Sequence, residues 1–409
     1  MTTTAPSTRS SRTPTRHVAL ATLALAMGGF AIGTTEFVTM GLLPEIATGV
    51  DVSIPAAGHV ISAYALGVVV GAPVIAIFGA RLPRRGLLLA LMAAFALGNA
   101  GSALAIGYEA LTLARFVSGL PHGAYFGVAS LVAASLVEPG RRGRAVSQVM
   151  LGLAIANVVG VPAATWMGQT LGWRSAYWAV TGLGLLTVAL VTLFVPRSPA
   201  DPAATGRKEL GAFARPQVWL TLLVGAVGFG GMFAMYSYIA PTVTDVTGLG
   251  PSAVPVFLLA FGIGGALGTV LGGHLADWSI FRSLLASSVA MGATLALFSV
   301  TAYQPVLAVA TVFTVAAVGS VLVVNLQMRL MQVAGDAQTL GAAMNHASLN
   351  AANALGAWLG GVVIAAGFGY TATSWVGAAL SAAGLAVLLV SAVLHRRTTV
   401  REPSLVSRG

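Results

Sequence analysis

The sequence contains no cysteine, a single lysine and few charges of either sign. Without cysteine there are no disulfides, no thiol nucleophile and no thiolate metal ligands. Charged residues fill 8% of the 409 positions, while hydrophobic ones fill 57%. Soluble domains carry roughly 25% charge, so a water-soluble globule is excluded. The alternating ten-residue segments of a membrane barrel are missing as well. No G-x-x-x-x-G-K-S/T loop is found, so ATP is not expected to drive any work from this chain. The six histidines are scattered without ligand spacing, and no metal is expected. No cofactor is expected either. No nucleophile, base and metal combination suggests an enzyme.

What the chain does have is a series of long apolar runs, each able to cross a bilayer as a helix. Hydropathy places them at 18–46, 55–79, 86–106, 109–137, 145–169, 174–195, 216–241, 252–276, 281–302, 305–331, 338–366 and 371–395. The expected fold class is therefore an all-α membrane protein of twelve transmembrane helices. The net charge of +10 is not a nucleic-acid signal, because the arginines gather in alternate loops. Arg81, Arg84 and Arg85 follow the second run, Arg141, Arg142 and Arg144 the fourth, and Arg396 and Arg397 the twelfth. Basic loops stay in the cytoplasm, so both termini are expected inside, with the cell inner membrane as the location. Residues 1–17 and 396–409 read as cytoplasmic tails, the first disordered. The Pro-rich, charged segment 196–215 reads as a cytoplasmic linker between six-helix bundles at 18–195 and 216–395.

The halves echo one another at an offset of about 196 residues. Pro44 answers Pro241, "NVVG" at 157–160 answers "NALG" at 353–356, and Trp178 answers Trp375. Repeated six-helix halves with a site between them are one large transporter architecture.

Four stretches carry a family resemblance: "GTTEFVTMGLLPEIA" from Gly33, "GARLPRRG" from Gly79, "LTLARFVSGLPHG" from Leu111 and "GLAIANVVGVPAATWMG" from Gly152. With these the chain resembles the major facilitator superfamily, in particular its twelve-helix drug:proton antiporters. Within that branch it is most similar to arabinose-efflux-like and chloramphenicol-resistance permeases. The resemblance implies two pseudo-symmetric bundles, alternating access, proton-coupled efflux of small amphipathic molecules and a monomer in the lipid bilayer. It marks Gly79, Arg84, Gly160, Pro162 and Asp277 as conformational-motif positions. Pro83 stands where the loop motif usually has aspartate, whereas the second-half copy "GGHLAD" keeps it at Asp277.

Among eleven acidic residues only Glu36 lies well inside a run, and Arg115 is the only deeply placed arginine. A mid-membrane charge costs roughly 3 kcal/mol or more, so it must be paired, neutralised or wetted. Two accounts stand: a static Glu36–Arg115 pair locking helices, or a carboxyl that loads and releases a proton as its surroundings change. Arg115, Gly119, His122 and Phe126 follow helical spacing, placing them on one face that Gly119 is expected to keep open. His122 is either a proton-handling group with Glu36 and Arg115 or a histidine bonded to backbone. His346 and His59 share a face with no such partner.

The resemblance further implies a cavity lined by spans one, four, seven and ten. Candidate cargo contacts are Met27, Phe30, Phe37, Phe126, Phe233, Tyr236 and Tyr238. Asn157, Asn345 and Asn350 are expected to bond between helices. The acid is not duplicated in the second half, so that half is expected to contribute mostly apolar contacts. Gly264, Gly268 and Gly272, four apart, predict a close-packing face. Sugars such as arabinose are the alternative cargo to drugs such as chloramphenicol.

Overall fold

The computed structural model describes residues 15–79, 81–138, 141–197, 215–334 and 338–401. Most of the linker expected at 196–215 and most of both tails lie outside these residues. Every regular element among the described residues is a helix.

The first six spans are Thr15–Gly41, Ile54–Gly79, Arg84–Leu104, Tyr108–Ser135, a fifth running from Arg142 to Leu171, and Arg174–Phe194. The seventh starts at Pro216, and Pro305–Ala334, Gln338–Ala365 and Ala372–Arg401 are the tenth to twelfth. The first helix begins at Thr15 and the last ends at Arg401, both beyond the apolar runs, because helix continues into the polar flank.

Between them lies one helical stretch of 48 residues, Val254–Thr301. A straight helix of that length would measure roughly 72 Å, over twice the hydrocarbon thickness of a bilayer. Ser279 breaks it: its backbone leaves the helical region (φ −172°, ψ 108°). The break divides it into spans eight and nine, giving twelve crossings. With an even number, the first span starts and the last span ends on the same side, hereafter the terminal end.

Spans five and seven are interrupted. A π turn at Ala156–Gly160 splits the fifth, and another at Val224–Gly228 splits the seventh, which breaks again at Ser237 and Tyr238. π turns free backbone groups and bend the helix, and they occur often at functional sites.

The core follows the two-bundle division. One apolar cluster, around Leu25, Phe95, Tyr125 and Val180, belongs wholly to the first six spans. A second, around Phe257, Met291, Val315 and Leu326, belongs mainly to the last six. It also takes in Phe37, Met40, Ile61 and Val161 from the first bundle, away from the terminal end. The bundles meet there: Ser62 Oγ donates to the Ala354 carbonyl (3.1 Å), and Gln169 Nε2 to that of Pro251 (3.0 Å).

The glycine stripe of span eight packs on span ten. A side chain at Gly268 would run into the Ala317 backbone, whereas Gly273 faces open space. Gly268→Val is therefore expected to cut the yield of monodisperse protein at least several-fold, and Gly273→Ala to leave it unchanged. Size-exclusion profiles of the two variants check this.

Candidate functional site

The polar tripeptide of the first span shows how helix geometry sorts its side chains. Thr35 Oγ1 donates to Asn99 Oδ1 (2.6 Å), and Thr39 Oγ1 bonds Tyr177 OH (2.9 Å), so this face looks into the first bundle. Glu36, one residue on, is turned by roughly 100°. It lies with Phe37 in the wall of a cavity between the bundles. The residue is 7% exposed, and its carboxyl accepts no hydrogen bond from the described residues.

Arg115 comes to the first span but aims at Thr35. Its guanidinium donates to Thr35 Oγ1 (2.9 Å) and to the Thr35 carbonyl (3.1 Å). It lies 4.2 Å from the ring centre of Tyr64 and 5.3 Å from that of Tyr177. Aromatic faces attract a desolvated cation, so a fully buried arginine has partners without an acid. Among the described residues no ion pair joins it to Glu36.

Gly119, expected to keep the fourth-span face open, does the opposite. A side chain there would strike the Tyr64 carbonyl, because the second span packs directly against it. Lower on the same helix, His122 Nδ1 bonds Tyr64 OH (3.0 Å) and reaches the cavity. Phe126 sits beside it, ring centres 5.4 Å apart, and stacks flat on His346 of the eleventh span at 5.3 Å and 5°. This stack joins the two bundles beside the cavity.

The cavity measures about 290 Å³ and extends from mid-molecule toward the terminal end. Of the candidate residues, Glu36, Phe37, His122 and Phe233 are in its wall. Phe37 and Phe233 are near-parallel, ring centres 6.3 Å apart. Tyr236 stands behind them, stacked on Phe261 at 3.8 Å. Arg115, Met27, Phe30, Phe126 and Tyr238 are not among the wall residues. Phe30 faces Gly160 of the fifth span, and Tyr238 OH donates to the Ala357 carbonyl (2.7 Å) away from the terminal end.

The motif positions lie at bends. Gly79 opens the turn after span two, its carbonyl accepting from Leu82 N (2.9 Å), and Arg84 starts span three. Ala80 of that motif lies outside the described residues. Gly160 ends the π turn of span five, Pro162 stands in the next helical turn, and exposed Asp277 adjoins the break at Ser279.

Spans five, eight and eleven line the cavity too, beyond the four expected. The second half does contribute mostly apolar groups, Phe229, Met232, Phe233 and Phe261 among them, but it also supplies Thr269, Ser320, Gln327, Asn345, His346 and Asn350. Among the described residues Asn157, Asn345 and Asn350 do not bond between helices. Two of them donate within their own helix, Asn157 to Leu153 O (3.1 Å) and Asn350 to His346 O (3.0 Å), while Asn345 has no partner among the described residues. The available signal was the gathering of three polar residues, Asn345, His346 and Asn350, in one apolar span, which marks a polar site without saying which way it faces.

The comparisons agree with this architecture. A family model described as "Major Facilitator Superfamily" matches residues 25–344. The chain is 44% identical over 368 residues to "Inner membrane transport protein YdhP" of Escherichia coli (strain K12), covering 90% of this chain and 94% of that protein. It is 34% identical over 351 residues to "Chloramphenicol resistance protein" of Streptomyces lividans, covering 85% and 88%. A solved D-xylose-proton symporter shares the fold at a TM-score of 0.72 and 18% identity, covering 92% of this chain and 97% of that one. The chain belongs to the major facilitator superfamily and is a multi-pass membrane transporter.

Proposed function

We propose that this transporter is a proton-coupled exporter of small amphipathic molecules, with chloramphenicol-like drugs the favoured cargo. One observation carries the proposal: Glu36 is the acidic residue in the cavity wall, buried and without a bonded partner among the described residues. Desolvation favours the neutral carboxyl, and a nearby cation or water favours the charged one. A wall that alternates between dry and wet therefore alternates the proton occupancy of such a group. His122, hydrogen-bonded to Tyr64, is the second proton-handling candidate in the same wall. The Arg115 charge is built into the first bundle behind Glu36.

The arginine-rich loops support a cytoplasmic terminal end in the inner membrane. The cavity then reaches toward the cytoplasm, where cargo is collected, while the bundles touch on the far side. The chain works as a monomer, with the 196–215 segment linking the bundles. The aromatic wall and the relative named for chloramphenicol resistance support a drug. The amides in the same wall favour the alternative, a sugar or other polyhydroxyl metabolite. Uptake into inside-out vesicles under an imposed pH gradient, scanning phenicols against pentoses, tests both. Gradient-independent movement of every compound would refute proton coupling.

Closure on the far side must open in each cycle. Because the chain has no cysteine, a Ser62→Cys/Ala354→Cys pair can be oxidised without background. Oxidation is expected to reduce transport at least tenfold and a reductant to restore it. Full activity of the cross-linked protein would mean that this contact does not part.

A further inference from the structure

We infer that Asn157, Asn345 and Asn350 form a hydrogen-bonding subsite for an uncharged aryl polyol or aryl amide, a cargo with a ring at one end and O–H or N–H donors at the other. This rests on the cavity being the cargo site, and it assigns the cargo's chemistry.

Asn345 and Asn350 are 1% and 3% exposed, and both line the cavity. Buried polar groups are nearly always hydrogen-bonded, and those that are not call for an explanation. Four atoms here have no partner among the described residues: Asn157 Oδ1, Asn350 Oδ1, and both Oδ1 and Nδ2 of Asn345. Three are acceptors and one is a donor. A carboxylate or phosphate only accepts, so it would leave the three oxygens unfilled. An ammonium only donates, so it would leave the Asn345 nitrogen unfilled. Hydroxyls and amides do both. Among the described residues no lysine or arginine lines the cavity, which leaves no cationic partner for an anionic cargo.

The remaining wall sets the other end. Phe37, Phe233 and Phe261 of spans one, seven and eight line the same space. Offset stacking there suits an aromatic group. A site built to bond a hydroxyl rejects the analogue lacking it far more strongly than an apolar pocket rejects a missing methylene. The amides therefore set selectivity and the aromatics supply general affinity.

The test measures binding to the purified full-length protein by intrinsic fluorescence and thermal shift. The probes are chloramphenicol and 4-nitrophenyl arabinoside, each with its O-methylated counterpart, plus ethidium as a lipophilic cation. At least one parent compound should bind at least tenfold tighter than its methylated form. Asn345→Leu and Asn350→Leu should each erase that ratio while leaving the methylated compound's affinity within about twofold. If a leucine variant fails to fold, Asn345→Ser, which keeps one hydroxyl, should lower the ratio partway. Parents and methylated forms binding equally, no parent binding, or preference for ethidium would each overturn the assignment. Glu36→Gln should keep the ratio. A retained ratio without proton-driven transport would sink the coupling proposal alone, and coupled transport with no ratio would sink this one.

Discussion

Glu36→Gln is expected to abolish accumulation of cargo against its gradient while leaving cargo–cargo exchange intact. The substitution keeps the size of the side chain and removes its proton. A pH difference of one unit is worth about 1.4 kcal/mol per proton, which is a tenfold concentration ratio. Proteoliposomes holding the native protein should therefore build about a tenfold gradient of cargo per pH unit for each proton exchanged. The glutamine variant should stop at a ratio of one. Exchange measured in the same vesicles shows that the cavity still opens to both sides. Loss of exchange as well would indicate a structural rather than a coupling role for the acid.

Arg115→Ala should destabilise the protein, and with it end transport. The wild-type guanidinium is fully buried in the first bundle, makes two hydrogen bonds to Thr35 and contacts the rings of Tyr64 and Tyr177. A hydrogen bond involving a charged group contributes roughly 1.5–3 kcal/mol, and a desolvated cation–π contact about 2. Truncation should thus cost on the order of 3 kcal/mol or more. Arg115→Lys keeps the charge but loses the planar fork that reaches both Thr35 oxygens, so it should recover less than half of the loss. Thermal unfolding in detergent measures both variants. An alanine variant as stable as the native protein would show that the arginine is not part of the frame.

The positions of the spans were legible in hydropathy because a bilayer requires long apolar helices. Glu36 stood out for the same reason, since one carboxylate among apolar neighbours has few explanations. Which way it pointed was not legible. Thr35 and Glu36 are adjacent in sequence, and only the packed first bundle shows that Arg115 takes the threonine. Gly119 illustrates a second limit. A small residue on a helical face suits an open cavity and a tight crossing equally well, and the position of Tyr64 decides. Asn345 and Asn350 show a third. An amide in an apolar span can join helices or face water, and sequence spacing does not distinguish the two. The break at Ser279 separates spans eight and nine where the hydropathy gap of 277–280 placed it.

The most direct test of the account is proton release on cargo binding. Purified protein in weakly buffered detergent solution, with a pH indicator present, is mixed with saturating cargo. The wild type is predicted to release protons in proportion to the cargo bound, and Glu36→Gln to bind cargo with no release. Equal release from both proteins, or none from either while cargo binds, would contradict the role assigned to Glu36.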